Sequence, residues 1–381
     1  MNEMKENTSR LDLSGCDLEN EDLKDLCEKK DCNELKELFL GENAISNITA
    51  LQTLKAAKLE KLYIWGNKIS NIDILQNVNF KELKQLELSE NIISDIKVLE
   101  KVNFKELEKL ILWGNKIFDI NVLEKANFKE LKDIYLNKNK ISDIKVLEKV
   151  NFFKLEKLIL SGNQIENIDV LGKVNFLELR ELNLAENNIS DITILAKANF
   201  TKLEYLDLKK NNISNIEVLE KVNFEELKSL NLGGNKLSEI KALEKANFTK
   251  LENLYLWANE ISNNINVLEN VNFKELKVLE LSENNITDIK VLEKVKFDKL
   301  EILYLSSNYD LTDINVIEKV NFKELKELDI SWNNISDIGV LEKVNFPKLE
   351  KLILFGNSID EIKFAPLLDN LSQRFEVDLT E

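Results

Sequence analysis

The sequence predicts an α/β solenoid in which about fifteen short repeats each add one strand to a parallel inner sheet and return over a short helix or 3₁₀ turn outside. Three observations lead there. A self-similarity with a period of 24 residues runs through nearly all of the 381-residue chain, each copy holds a short Leu-x-Leu alternation, and each copy turns at an Asn. The segment Asn103-Phe-Lys-Glu-Leu107-Glu-Lys-Leu110-Ile-Leu112-Trp-Gly-Asn115-Lys-Ile117 returns as Asn321-Phe-Lys-Glu-Leu325-Lys-Glu-Leu328-Asp-Ile330-Ser-Trp-Asn333-Asn-Ile335. Aligned on the Asn, the copies fall at 43, 67, 91, 115, 139, 163, 187, 211, 235, 259, 284, 308, 333 and 357, with two steps of 25. Cys16 takes the same place in an earlier unit of 27 residues.

Within a copy the elements follow in order. At Leu86-Glu87-Leu88 the leucines face inward and Glu87 outward, which is a short half-buried strand. The Asn of the turn can set its amide against backbone groups of adjacent turns that the bend would leave unpaired. Next, Ser94-Asp95 precedes Ile96-Lys-Val-Leu99-Glu-Lys-Val102, where Asp95 can cap a helical turn whose apolar face is Ile96, Leu99 and Val102. Then comes a Phe, three residues before the first strand Leu, in every copy from Phe80 to Phe346, an aromatic spine down the core.

The ends depart from this pattern. Asn20 to Lys30 reads as a longer amphipathic helix capped by Asn20, with Leu23, Leu26 and Cys27 inward and Cys32 where the spine would begin. After Ile362, Phe364-Ala-Pro366 to Leu371 and the alternating run Phe375 to Leu379 read as a closing helix and an edge strand, with Glu376, Asp378 and Glu381 discouraging edge pairing. The expected organisation is an N-terminal capping repeat over 1–34, repeats of 24–25 residues over 35–363, and a C-terminal cap over 364–381.

The consensus L-x-x-L-x-L-x-x-N-x-I/L, carried over about 350 residues, resembles the leucine-rich-repeat family. The outer stretch Ile93-Ser-Asp-Ile96-Lys-Val-Leu99 is similar to the short-repeat class of bacterial internalins and of a regulatory subunit of a serine/threonine phosphatase, although each unit is two residues longer here. The first unit, Leu11-Asp-Leu-Ser-Gly-Cys16, resembles the ribonuclease-inhibitor type. The resemblance implies a horseshoe with a parallel concave β-sheet, serving as a protein-binding scaffold or, alternatively, as a regulatory subunit of a serine/threonine phosphatase or a surface adhesin or effector of internalin type.

Charge and composition narrow the chemistry. A formal charge of −16 opposes a phosphate backbone, so no nucleic-acid partner is expected. The polar start, Met1 to Arg10, lacks the apolar stretch of a signal peptide, and no apolar run approaches the ~18 residues of a membrane helix; a cytoplasmic chain, monomeric by itself, is expected. The absence of His removes Ser-His and Cys-His nucleophilic pairs and His metal sites. Cys16, Cys27 and Cys32 find no fourth soft ligand and read as core positions. No Walker loop or G-x-G-x-x-G occurs; Gly66, Gly114, Gly162 and Gly356 belong to the turn before the Asn. Neither an enzyme nor a cofactor is expected.

Two outward patterns remain. The residue after the first strand Leu alternates in sign in every repeat, from Lys36, Glu60 and Lys84 to Lys326 and Glu350, so that unlike charges stand side by side across strands. On the concave face, Phe39, Tyr63, Trp65, Ile111, Trp113, Tyr135, Tyr205, Tyr255, Trp257, Tyr304, Trp332 and Phe355 are the candidate partner-binding residues, because repeat packing does not require Trp or Tyr there and these anchor protein interfaces. Lys109, Lys138, Lys140 and Lys157, beside Trp113 and Tyr135, could receive an acidic segment or form a solvated patch.

Overall fold

Each repeat spends only three residues on its strand, such as Lys61-Leu62-Tyr63, with the central Leu inward and its neighbours outward. The computed structural model describes residues 9–30 and 32–379; residues 1–8 of the polar start and Glu381 lie outside the described residues. Packing divides the chain into two units, Met1–Asn188 with Ala198–Phe200, and Ile189–Lys197 with Thr201–Glu381. In the first, β1 (Arg10–Asp12), β2 (Glu37–Phe39), β3 (Lys61–Tyr63), β4 (Gln85–Glu87), β5 (Lys109–Ile111), β6 (Asp133–Tyr135), β7 (Lys157–Ile159) and β8 (Glu181–Asn183) form a parallel sheet in chain order. In the second, β9 (Tyr205–Asp207), β10 (Ser229–Asn231), β11 (Asn253–Tyr255), β12 (Val278–Glu280), β13 (Ile302–Tyr304), β14 (Glu327–Asp329), β15 (Lys351–Ile353) and β16 (Glu376–Asp378) do the same.

The return path is a 3₁₀ segment, for example Lys97–Glu100, whose four residues are too few for a settled α-helix. Asp95 Oδ1 accepts the Lys97 N–H at 2.8 Å, and Ile96, Leu99 and Val102 are buried beneath it. The Phe spine is buried from Phe80 to Phe346. The Asn side chains form the expected ladder: Asn91 donates to the carbonyls of Ile64, Leu88 and Ser89 at 2.9–3.2 Å and accepts the Ile69 N–H at 2.9 Å. One amide thus satisfies the bends of two consecutive turns.

The two 25-residue steps leave the strands in register. Leu279 pairs with Leu254 and Leu328 with Leu303, and both stay inward. The first extra residue lengthens the outer segment to Ser262–Glu269; the second sits in a turn closed by the Leu311 N–H on the Asn308 carbonyl at 2.8 Å. The ladder takes the disturbance instead. The Ser262 N–H goes to the Asn284 backbone carbonyl at 2.9 Å, and Asn284 Oδ1 is left buried without a hydrogen bond.

At the start, α1 (Asn20–Lys29) buries Leu23, Leu26 and Cys27 as expected, but Glu19, not Asn20, caps it: Glu19 and Asp22 form a reciprocal capping box. Asn20 is committed to the next repeat, its Oδ1 accepting the Ser46 and Asn47 N–H groups, each at 2.9 Å. Cys16 is a second correction, being exposed where a core position is expected. Its thiol meets only the Ser14 carbonyl at 3.6 Å, since sulfur lacks the reach and the second donor of an amide. At the other end α2 (Glu361–Ser372) is capped by Asp360, which accepts the Lys363 N–H at 3.0 Å, and β16 pairs with β15.

Candidate functional site

The outward residues of the strands and of the turns behind them stand in columns, and the candidates fall into four of them. Phe39, Tyr63, Ile111, Tyr135, Tyr255 and Tyr304 end their strands, and Tyr205 begins β9. Trp65, Trp113, Trp257 and Phe355 come two residues after a strand, and Trp332 three residues after β14.

In the first unit several of these rings have partners within the chain. The Arg10 guanidinium lies 4.3 Å from the Phe39 ring centre, Phe39 stacks on Tyr63 at 4.8 Å and 13°, and the Tyr63 hydroxyl donates to Gln85. Lys109 approaches the Tyr135 ring at 4.9 Å and Lys138 the Trp113 ring at 5.8 Å. Ile111 differs from the other candidates in being only 8% exposed, because its short branched side chain sinks between Glu87 and Tyr135 in the column. In the second unit Tyr205 and Trp332 are 46% and 42% exposed, Tyr255, Trp257 and Tyr304 are half-buried, and Trp332 meets Phe355 edge-on at 6.0 Å.

Two of the tryptophans, Trp65 and Trp257, are seated on glycine, which the sequence reading missed. A Cβ on Gly41 would stand 2.5 Å from Trp65 Nε1, and Trp257 covers Gly233 in the same way. Each indole lies down on the preceding turn, so its ring is half shielded and fixed in direction. The signal was available as a glycine 24 residues before Trp65 and before Trp257. Trp332 is different, with a φ of +52° in the column where Gly66, Gly114 and Gly356 also turn left-handed. Holding a side chain there costs about 1 kcal/mol.

Beside the rings runs the alternating charge column. Glu60 bridges Lys36 at 3.1 Å and Lys84 at 2.8 Å, and Lys228 pairs with Glu204, Lys277 with Glu252 and Lys326 with Glu301 at 2.5–2.7 Å. Two further ladders went unread in the sequence. Lys58–Glu34, Lys154–Glu130 and Lys250–Glu226 pair at 2.5–2.6 Å ahead of the strands, and Lys125–Glu100, Lys149–Glu124 and Lys245–Glu220 at 3.1–3.5 Å beside the 3₁₀ segments.

Three strand carboxylates, Glu87, Asp133 and Glu280, are held above the usual carboxylate range. Burial raises Glu87, partly offset by a hydrogen bond from Ser89; burial raises Asp133 against the pull of Lys109 and Lys157. Glu280 is raised by burial, with Asp329 and Glu283 adding to the effect and Ser282 opposing it. Tyr304 is pushed up to about 12 by burial, then by the charge of Glu327. In the first unit a hollow of about 450 Å³ lined by Ser142, Asp143, Gln164, Glu166 and Asn188 lies on the 3₁₀ side. What the sheet face presents is a row of oriented rings between charges, suited to contact with another chain.

Family models for the leucine-rich repeat match this chain over just over half its length, as paired copies at residues 57–101, 154–197, 177–221 and 274–319 and as single copies at 9–27 and 324–342. No curated protein sequence matches. Among solved structures, an internalin of Listeria monocytogenes is 29% identical, over 84% of this chain and 87% of its own, with a TM-score of 0.68. A leucine-rich-repeat protein of Leptospira interrogans is 23% identical over 98% and 96%, with a TM-score of 0.79. A plant peptide hormone receptor, solved in complex with RGF2, shares the fold at 21% identity over 86% and 64%, with a TM-score of 0.53.

Proposed function

Because this chain belongs to the leucine-rich-repeat family, we propose that it is a non-catalytic scaffold that grips a protein or peptide partner on the outward face of its strands. One observation carries the reading: Tyr and Trp recur in outward columns that the core does not bury, and such rings, held in direction, are the anchors that dominate protein interfaces. The plant peptide hormone receptor of the same fold, solved in complex with RGF2, supports it. On this reading the chain is monomeric by itself and works in the cytoplasm; no helix among the described residues is long and apolar enough to cross a membrane.

The test begins with a pull-down and mass spectrometry. Titration calorimetry of the captured partner against Trp65→Ser/Trp113→Ser and Trp257→Ser/Trp332→Ser should show losses of about 2 kcal/mol or more per anchor. Lys97→Ser, on the 3₁₀ side, should change nothing. Since the indoles cover Gly41 and Gly233, unfolding is measured in parallel to separate lost contact from lost stability. Unchanged affinity in both doubles would move the site off the sheet face.

A second reading, a surface adhesin or effector of internalin type, is favoured by the 29% identity to the Listeria internalin over most of both chains. Cell fractionation decides between the locations: recovery from the cell surface or medium supports the adhesin, and recovery from the cytosol overturns it.

A further inference from the structure

The outward face of β11 to β14 is built unlike that of the first unit. There, each of three rings meets a cation of its own chain: Arg10 over Phe39, Lys109 over Tyr135 and Lys138 over Trp113. From Asn253 to Trp332, the strands and the turn residues behind them carry Tyr255, Trp257, Tyr304 and Trp332 together with Glu280, Glu283, Glu327 and Asp329 on their outward side, and no Lys or Arg. The lysines just ahead of these strands, Lys277 and Lys326, are engaged with Glu252 at 2.7 Å and Glu301 at 2.5 Å. Lys351 stands beside Glu327 in register without an ion pair to it. Among the described residues, none of the four carboxylates has an ion-pair partner and no cation lies over Tyr255, Trp257, Tyr304 or Trp332.

The register sets the order of the groups. Tyr255 is beside Glu280, Glu280 beside Tyr304, and Tyr304 beside Asp329, each step one strand spacing of about 4.8 Å. Two aromatic side chains therefore flank one carboxylate, with a second carboxylate one strand beyond. Glu280 and Asp329 are aimed by the Ser282 and Ser331 N–H groups, which they accept at 2.9 Å. A partly desolvated carboxylate with no cation is a cost to folding, and the raised Glu280 carboxyl agrees with that. Ring faces and carboxylates together are what a guanidinium or ammonium group requires.

We infer that this part of the sheet binds a cationic side chain, the arginine or lysine of an extended peptide segment, between Tyr255 and Tyr304 with Glu280 and Asp329 as its counter-charges. The inference rests on the sheet face being the binding surface and adds the chemistry of what it takes. In the first unit the equivalent places beside the rings are filled from within; here they are open to a partner.

Fluorescence anisotropy of a labelled Gly-Ser peptide carrying spaced arginines, against the same peptide with citrulline, tests this on the full chain. The arginine peptide should bind at least about tenfold more tightly, and Glu280→Gln/Asp329→Asn should remove about that factor. Glu225→Gln/Asp298→Asn, which takes the same charge from exposed positions elsewhere, should leave affinity within about twofold. Equal losses in the two doubles would reduce the effect to the attraction of an acidic chain and overturn the inference; so would equal or undetectable binding of the two peptides. If the first double does not fold, Tyr255→Leu/Tyr304→Leu is read in its place. Should a captured protein partner lose affinity with Trp65→Ser/Trp113→Ser but not with Glu280→Gln/Asp329→Asn, this inference fails while the scaffold reading stands; if the tryptophan doubles and the carboxylate double all leave its affinity unchanged, the scaffold reading fails as well.

Discussion

Replacing Asn187 by Ala should be far more damaging than replacing Cys16, though the two occupy the same place in their repeats. Asn187 Nδ2 donates to the carbonyls of Leu160, Leu184 and Ala185 at 3.0–3.1 Å, and its Oδ1 accepts the Ile165 N–H at 3.0 Å. Leu160 retains a second donor, Asn163 Nδ2 at 2.9 Å, so the group left stranded by the substitution is the buried Ile165 N–H. An unsatisfied buried donor costs about 1–3 kcal/mol, and the lost net bonding of the amide adds about 1 kcal/mol, for a total near 3 kcal/mol. Cys16→Ala removes one 3.6 Å thiol contact at an exposed position and should cost less than about 0.5 kcal/mol. Because a repeat array can open in parts, urea unfolding is paired with hydrogen exchange at the Ile165 amide, which should accelerate in the Asn187 variant. Equal losses in the two variants, or an Ile165 amide that exchanges as before, would refute the ladder role.

Three further outcomes are expected. Gly233→Ala forces the Trp257 indole off its seat, so tryptophan emission should shift and stability fall by about 1–3 kcal/mol; an unchanged spectrum would mean the ring is not seated. Glu60→Lys sets three lysines in a row and gives up two pairs worth about 0–1 kcal/mol each; the loss, read from urea midpoints, should shrink at high salt, and a salt-independent loss would contradict an electrostatic column. Glu280, whose folded pKa lies above its unfolded one, binds its proton more readily in the native state, so stability should rise as pH falls from neutral through that folded value; Glu280→Gln should lose this component, and identical pH profiles would refute it.

The solenoid, its period, the inward leucines, the Phe spine and the Asn ladder were legible because each depends only on residues at fixed offsets, and 24-residue repetition turns a local pattern into a neighbour relation. The strand-flanking charge alternation was legible for the same reason. The register across the two insertions followed from the alignment, since a one-residue slip would have turned Leu279 outward.

Other features depended on how far a side chain reaches, which spacing does not encode. Glu19 took the cap of α1 because Asn20 could reach Ser46 and Asn47 in the next turn. Cys16 stayed exposed because a thiol cannot bridge the carbonyls an amide reaches. Ile111, read as a contact residue, sank between longer neighbours. The sequence by itself determined which columns face outward and which residues stand in them, because strand alternation assigns sides. Only the tertiary structure decided that the indoles lie on Gly41 and Gly233, and that Glu280 and Asp329 stand among rings without a cation, since ring direction and ion pairing are set by which neighbouring turn offers room and charge within a few ångströms.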